Sequence, residues 1–231
     1  METIGEKVYN ISVIGDSSVG KTSWITMLSL GLYPKIYLPT LEKTSNEYKF
    51  PITCEQKHMN INIKITEHPG KDKISFSETP DGIIALFDIN KPSSYIKVKR
   101  MISEIKKEMG QIHIILCANK FGEITIGNCP VSKKYMDYEN TCEWIRMSVK
   151  NCVNYPIPLL KIIKNITGNE NIKLIENNST STESDSDSQE YYYYASDSEP
   201  EIYEENTEIY EPTEIYEENI YEETPIFYVE I

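Results

Sequence analysis

The chain has 231 residues, enough for one domain of about 170 residues with a tail, or for two small domains. It carries 36 acidic and 23 basic side chains, but residues 176–231 hold 18 of the acids and no lysine or arginine. The rest therefore has 36 − 18 = 18 acids against 23 bases and is mildly basic. Such an acidic tail would compete with phosphate backbones, which disfavours a nucleic-acid-binding role.

The cysteine pattern and the lack of long apolar segments predict an intracellular protein without a membrane anchor. The five cysteines include no CxxC pair, which is typical of reduced thiols in the cytosol or nucleus. No apolar run approaches the roughly 18 residues needed to span a bilayer. Because we find no signal peptide, myristoylation or prenylation motif, we expect a soluble protein that is cytoplasmic or nuclear.

The most informative stretch is residues 15–22, Gly-Asp-Ser-Ser-Val-Gly-Lys-Thr, which matches GxxxxGK followed by Ser or Thr. An apolar run at 11–14 precedes it, and apolar residues at helical spacing follow it up to Leu30. A strand, a glycine-containing turn and a helix N-terminus form an anion site, because backbone N–H groups and the helix dipole point at the ligand. Lys21 would then reach the outer phosphates of a nucleotide, and the Thr22 hydroxyl would bind Mg²⁺. The alternative is an ordinary strand-to-helix turn.

Strands and helices alternate along the first 175 residues. The predicted strands are 7–14, 43–50, 59–65, 83–88, 112–117 and 142–147, and the predicted helices are 22–30, 93–109, 132–138 and one from about 156 to 168. A polar turn between the second and third strands indicates a hairpin. The order predicts an α/β fold with a mostly parallel sheet flanked by helices on both faces. Ligands in such sheets bind at the carboxyl ends of the strands.

The composition changes at residue 176, which we take as the boundary between a folded domain, 1–175, and a tail, 176–231. The tail contains four consecutive tyrosines and a repeated Glu-Ile-Tyr-Glu motif at 201–204, 208–211 and 214–217. Its density of like charge and its lack of a folding pattern predict disorder. Phosphorylation of its tyrosines is an alternative role to simple solvation.

Further motifs fall at the strand ends predicted to line the site. Asn119-Lys120 follows the fifth strand, Ser148-Val149-Lys150 follows the sixth, Thr40 lies 18 residues after Thr22, and Gly70 follows the third strand. With the phosphate loop, these motifs resemble the Ras superfamily of small GTPases, a P-loop NTPase fold, over residues 7–175. Within it the chain is most similar to the Ran family, because residues 155–176 resemble the last helix of Ran and the C-terminal end is acidic. The amino-acid sequence of the phosphate loop is more similar to that of Rab proteins.

The resemblance implies a protein that binds GTP or GDP with Mg²⁺ and switches its contacts with effectors or regulators. Transport receptors and exchange factors are the partners that it suggests, in the host cell if the source is viral. Tyr33 would stack on guanine, and Thr40 would close over the γ-phosphate. The expected nucleotide contacts are Gly15, Ser18, Val19, Gly20, Lys21, Thr22, Ser23, Tyr33, Thr40, Gly70, Asn119, Lys120, Ser148, Val149 and Lys150. Those expected to bind the metal are Thr22, Thr40 and Glu67, and those expected in hydrolysis are Lys21, Thr40 and Lys71.

Three departures from the family pattern bear on activity. Glu67 replaces an aspartate that reaches Mg²⁺ through water. Lys71 replaces the glutamine that positions the attacking water, which predicts slow hydrolysis because an ammonium cannot accept a hydrogen bond from water. Gly122 replaces the aspartate that reads guanine, which predicts weaker base discrimination, although Glu123 is adjacent.

Two readings of the function follow from these departures. The first is a GTP/GDP switch with slow hydrolysis. The second is a degenerate nucleotide-binding adaptor that acts through its tail. An ATPase or kinase is a distant third, since the sequence has no strand-borne pair of acids or lid to support it.

Overall fold

A computed structural model describes residues 7–36, 38–71, 73–123 and 142–175. The strands in these ranges are β1 (Val8–Gly15), β2 (Thr44–Cys54), β3 (Lys57–Glu67), β4 (Gly82–Asp88), β5 (His113–Asn119), β6 (Glu143–Arg146) and β7 (Lys173–Leu174). The helices are α1 (Lys21–Leu30), α2 (Pro92–Met109) and α3 (Ile157–Thr167). The helix predicted at 132–138 and the predicted disordered tail lie outside the described residues.

The described strands form one sheet in the order β6-β5-β4-β1-β3-β2-β7. β1 pairs in parallel with β3 on one side and β4 on the other, and β5 and β6 continue the parallel part. Only β2 and the two-residue strand β7 run antiparallel to their neighbours. The predicted α/β fold with a mostly parallel sheet is therefore confirmed, while β7 was not predicted because two residues carry no periodic signal.

The hairpin of β2 and β3 is longer than the sequence predicts. Both strands have 11 residues, and they are joined by Glu55 and Gln56, whose φ angles of 48° and 66° suit the tight turn that right-twisted strands require. Pro51 ended the predicted second strand because proline cannot donate a ladder hydrogen bond. The strand continues through it since β2 lies at the edge of the sheet for most of its length.

Both faces of the sheet are covered, as β4 demonstrates. All seven residues of β4 are buried. Ile84 and Leu86 pack into a core shared with α1 and α3, whereas Ile83, Ala85 and Phe87 pack into a second core under α2. Burial of each large side chain contributes roughly 2 kcal/mol, so the continuous apolar run holds the strand in the middle of the sheet. None of the helices in the described ranges is long and apolar enough to cross a membrane.

The parallel strands bring four functional positions to one edge of the sheet. Gly15, Glu67, Asp88 and Asn119 are the last residues of β1, β3, β4 and β5. The register pairs Gly15 with Leu86 and Asp88 with Asn119, so these ends lie side by side. A ligand site at the carboxyl ends of parallel strands is the expected consequence of this topology.

Candidate nucleotide-binding site

The phosphate loop between β1 and α1 is a tight turn that depends on positive φ angles. Gly15, Ser18 and Gly20 have φ of 138°, 62° and 99°. A Cβ at Gly15 would lie 2.2 Å from the Leu86 carbonyl oxygen, and one at Gly20 would lie 2.4 Å from Nδ2 of Asn119. Only glycine fits at these two positions, since the backbone conformation and the close approach both exclude a side chain.

Lys21 begins α1 and turns its ammonium back over the loop. Its Nζ donates to the carbonyl oxygens of Gly15 at 3.0 Å and Asp16 at 2.7 Å. Burial lowers the pKa of Lys21 below its usual value, and the nearby carboxylates of Glu67 and Asp16 partly oppose that shift. A buried cation at a helix N-terminus is suited to bind an anion such as a phosphate group.

Three oxygen side chains converge beside Lys21. The Thr22 hydroxyl donates to Oε1 of Glu67 at 2.7 Å, the Thr40 hydroxyl lies 3.0 Å from the same oxygen, and the two hydroxyls are 3.0 Å apart. Hydroxyl and carboxylate oxygens are hard ligands of the kind that Mg²⁺ takes in phosphate sites, so the set fits that ion. The structure thus brings together the three predicted metal ligands, which come from α1, the 31–43 segment and the end of β3.

A polar network that the sequence did not predict joins the phosphate loop to α2 and Gly70. Lys97 Nζ donates to Oδ1 of Asp16 at 2.8 Å and to the Gly70 carbonyl oxygen at 2.9 Å. Burial of Asp16 would raise its pKa, but the hydrogen bonds from Lys97 and the Ser17 N–H outweigh it and hold that pKa below the usual value. Lys97 could not be found from the sequence, since it is one of several lysines on α2.

Asn119 is a crosslink between three parts of the site. Its Nδ2 donates to the Val19 carbonyl oxygen at 2.8 Å, and its Oδ1 accepts from the Val149 N–H at 3.1 Å. Asn119 is buried, so both bonds are shielded from water. That Asn119 flanks a base stays a prediction; in the structure it lines the cavity, and its amide holds the phosphate loop against the 148–150 turn.

Lys120 has a fixed ammonium and an accessible stem. Its Nζ forms an ion pair with Asp88 at 2.7 Å, while the residue lines the cavity. The stem is therefore held in place and offers an apolar surface to a base. No role was predicted for Asp88 from the sequence, although a carboxylate at the end of an apolar strand can indicate a residue of the site.

One cavity of about 420 Å³ collects most of the predicted residues. The predicted residues that line it are Ser18, Gly20, Lys21, Thr22, Ser23, Tyr33, Thr40, Glu67, Gly70, Asn119, Lys120, Val149 and Lys150. Ser17, Pro34, Lys35, Ile36 and Leu38 also line it and were not predicted as contacts, and Glu123, noted from the sequence only as the neighbour of Gly122, lines it too. Gly15, Val19 and Ser148, which were also predicted, are not among the residues that line it.

Lys71 is separated from this group. Its side chain is exposed and borders a different cleft, lined also by Glu42, Lys43 and His68. Burial, with repulsion from Lys43 and Lys21, lowers the pKa of His68 to about 4, so this histidine is neutral at physiological pH. The sequence could not reveal that the residue directly after Gly70 borders another cleft, because the placement of its side chain depends on the backbone angles at that turn.

The phosphate loop, the buried lysine and the oxygen cluster at the carboxyl edge of a parallel sheet define a P-loop nucleotide-binding protein. The Ras family model matches residues 10–168, and the chain belongs to the Ras family. It is also 26% identical over 183 residues to the GTP-binding nuclear protein GSP1 of Encephalitozoon cuniculi (strain GB-M1). That match covers 74% of this chain and 82% of the relative. The predicted resemblance to small GTPases, and to Ran among them, is confirmed.

Proposed function

We propose that this protein is a Mg²⁺-dependent GTP/GDP switch with slow intrinsic GTP hydrolysis. The observation that carries the proposal is the convergence of Thr22, Thr40 and Glu67 within 3.0 Å of one another beside Lys21. These residues come from distant parts of the chain, and a packed core does not require them to meet. Binding of a nucleotide with Mg²⁺ does require them to meet, because the ion neutralises phosphate charge and oxygens of the protein hold the ion in place.

Thr40 is the residue through which the state of the nucleotide would reach the surface. Its hydroxyl contacts Thr22 and Glu67, and it lies in the segment between α1 and β2, of which residues 33–36, 38 and 40 line the cavity. Ile36, Leu38 and Leu41 on this segment are between 73% and 77% exposed. Loss of the outermost phosphate removes a partner from Thr40, so the segment is released and these apolar side chains change position.

The partners of this segment are effector or regulator proteins, with transport receptors and exchange factors as the classes that the resemblance to Ran suggests. Its exposed leucine and isoleucine side chains suit a protein surface. We place the protein in the cytoplasm, the nucleus or both, and the relative's name, GTP-binding nuclear protein, supports the nucleus. The phosphates of a bound nucleotide would occupy the basic centre of the site at Lys21.

Slow hydrolysis follows from the position of Lys71. Its side chain is exposed and lies in a cleft outside the nucleotide cavity, and an ammonium cannot accept a hydrogen bond from water. A water molecule beside the γ-phosphate would therefore lack a side-chain acceptor at residue 71. The same position favours the second candidate, an adaptor that binds nucleotide and does not turn it over.

The binding proposal is tested by titrating the full chain with fluorescent GDP, with and without Mg²⁺, and competing with GTP and ATP. We expect Lys21→Ala to abolish binding, because it removes the buried cation. Lys57→Ala is the matched control, since Lys57 is exposed and begins β3 at the edge opposite the site. Equal competition by ATP and GTP, or binding by Lys21→Ala as tight as in the control, would refute the proposal.

The hydrolysis proposal is tested by single-turnover phosphate release from preloaded GTP. We expect a rate well below about 4 × 10⁻⁴ s⁻¹, the intrinsic rate of Ras, and at most about a twofold change in Lys71→Gln, because residue 71 lies outside the nucleotide cavity whichever side chain it carries. A Ras-like rate in the unaltered protein would contradict slow hydrolysis. No measurable release in either protein, with binding intact, would favour the adaptor.

A further inference from the structure

Glu123 lies in the nucleotide cavity, directly after the position where the family pattern has a carboxylate. Gly122 occupies the position where the family resemblance expects a base-reading aspartate, and it has no side chain to offer. Glu123 lines the cavity together with Asn119, Lys120 and Lys150, the residues at its base-binding end. Gly122 has φ of 76°, and this left-handed turn precedes the glutamate directly.

A hydrogen bond from Ser148 fixes the orientation of the Glu123 side chain. The Ser148 hydroxyl donates to Oε1 of Glu123 at 2.9 Å, while its oxygen accepts from the Asn151 N–H at 3.1 Å. Ser148 is fully buried and bridged through its backbone to Val153, so the donor is itself fixed. The hydroxyl has a single proton, and this geometry directs it to the carboxylate.

The Glu123 backbone is held as well. Its N–H donates to the Lys120 carbonyl oxygen at 3.1 Å, and its own carbonyl oxygen accepts from Nδ2 of Asn90 at 3.1 Å. The same Asn90 amide also donates to Lys120. These hydrogen bonds hold the backbone of the 120–123 turn at both ends, so the fold sets the position from which the Glu123 side chain extends.

The carboxylate keeps accepting capacity toward the cavity. The nearest cation along the chain, Lys120, is engaged by Asp88 at 2.7 Å. In the part of the chain that the structure describes, the Glu123 carboxylate accepts one hydrogen bond, from the Ser148 hydroxyl. A carboxylate has about four lone-pair sites, so one protein hydrogen bond leaves room for two from a ligand.

We propose that Glu123 is the residue that selects guanine, replacing a carboxylate at position 122; this inference rests on the proposed nucleotide binding. Guanine presents two adjacent donors, N1–H and the 2-amino group, and one carboxylate accepts from both. Hypoxanthine has only the first donor, xanthine presents an oxygen at position 2, and adenine has an acceptor at N1. A fixed carboxylate therefore ranks guanine first, since charge-assisted hydrogen bonds are the stronger kind.

The test uses the full chain and measures displacement of fluorescent GDP by GDP, IDP and XDP, with Glu123→Ala and Glu123→Gln as variants. Glu104→Gln, an exposed change on α2, is the matched control. We expect the unaltered protein to prefer GDP over IDP by about tenfold and over XDP by about 100-fold. In Glu123→Ala the GDP/IDP ratio should approach one, while Glu123→Gln should improve XDP binding because the amide donates to the oxygen at position 2.

The ratios separate base selection from a merely structural role. If both Glu123 variants weaken all three nucleotides by the same factor, the side chain only supports the 148–150 turn and the assignment is overturned. Unchanged ratios in both variants would overturn it too. If the unaltered protein binds no nucleotide, both the proposed function and the Glu123 assignment fail. If it binds nucleotide and the variants change only the affinity at constant ratios, the Glu123 assignment fails and the proposed function stands.

Discussion

Replacing Gly70 by alanine should force the phosphate loop away from the segment that follows β3. A Cβ at Gly70 would lie 2.3 Å from the Ser17 backbone nitrogen, 2.4 Å from its Oγ and 2.8 Å from the Asp16 carbonyl carbon. An ordinary contact of a Cβ starts at 3.4 Å. The two backbones must therefore separate by about 1 Å, because the loop nitrogen cannot rotate away as a flexible side chain could.

The cost of this separation can be estimated from overpacking. Forcing an extra methyl group into a packed site typically costs about 1–3 kcal/mol. The shift also strains the Lys97 hydrogen bond to the Gly70 carbonyl oxygen, now 2.9 Å long. Gly70 and Ser17 both line the nucleotide cavity, at the end that holds Lys21 and Thr22. We therefore expect the affinity for GTP to fall about tenfold more than that for GDP, a difference of about 1.4 kcal/mol.

The assay combines urea denaturation of the nucleotide-free chain with competitive titration of GTP and GDP. Gly168→Ala at the end of α3 is the control, because a Cβ there meets nothing within 4 Å and the cost comes only from its left-handed backbone, with φ of 66° and ψ of 18°. We expect the control to lose about 1 kcal/mol of unfolding free energy and to keep the GTP/GDP ratio. The steric reasoning is wrong if Gly70→Ala is no more destabilised than the control and binds both nucleotides in the unaltered ratio.

Two further predictions concern buried polar groups. Asn119→Ala should lower the free energy of unfolding by about 3 kcal/mol, because it leaves the Val19 carbonyl and the Val149 N–H buried without their partner. Urea denaturation beside the exposed control Asn46→Ala measures this, and a loss below about 0.5 kcal/mol would contradict it. His68 has a pKa of about 4 because burial disfavours its charged form, so the unfolded chain takes up this proton first as the pH falls. The unfolding free energy should therefore decline by at most about 3 kcal/mol from about pH 6.5 to pH 4. Urea midpoints measured across this pH range for the unaltered protein and for His68→Asn test this. If both midpoints fall equally with pH, His68 does not cause the decline.

The sequence determined the phosphate loop and the kind of sheet that carries it. The strand, the glycine turn and the first helix are contiguous, so their geometry depends on local φ angles and on apolar spacing over about 20 residues. The continuous apolar run of β4 likewise predicts a strand covered on both faces. The motifs after β5 and β6 could be placed at the site edge because parallel strands bring their carboxyl ends together.

Only the tertiary structure decided which side chains meet at the site and which do not. Lys97 contacts Asp16 from 81 residues away, and no local pattern distinguishes it from the other lysines of α2. Lys71 lies outside the nucleotide cavity, and Glu123 lies inside it one position after the expected carboxylate. Spacing along the chain predicts the element on which a residue lies. The direction of its side chain depends on a few backbone angles and on distant partners, and these exist only after the sheet has formed.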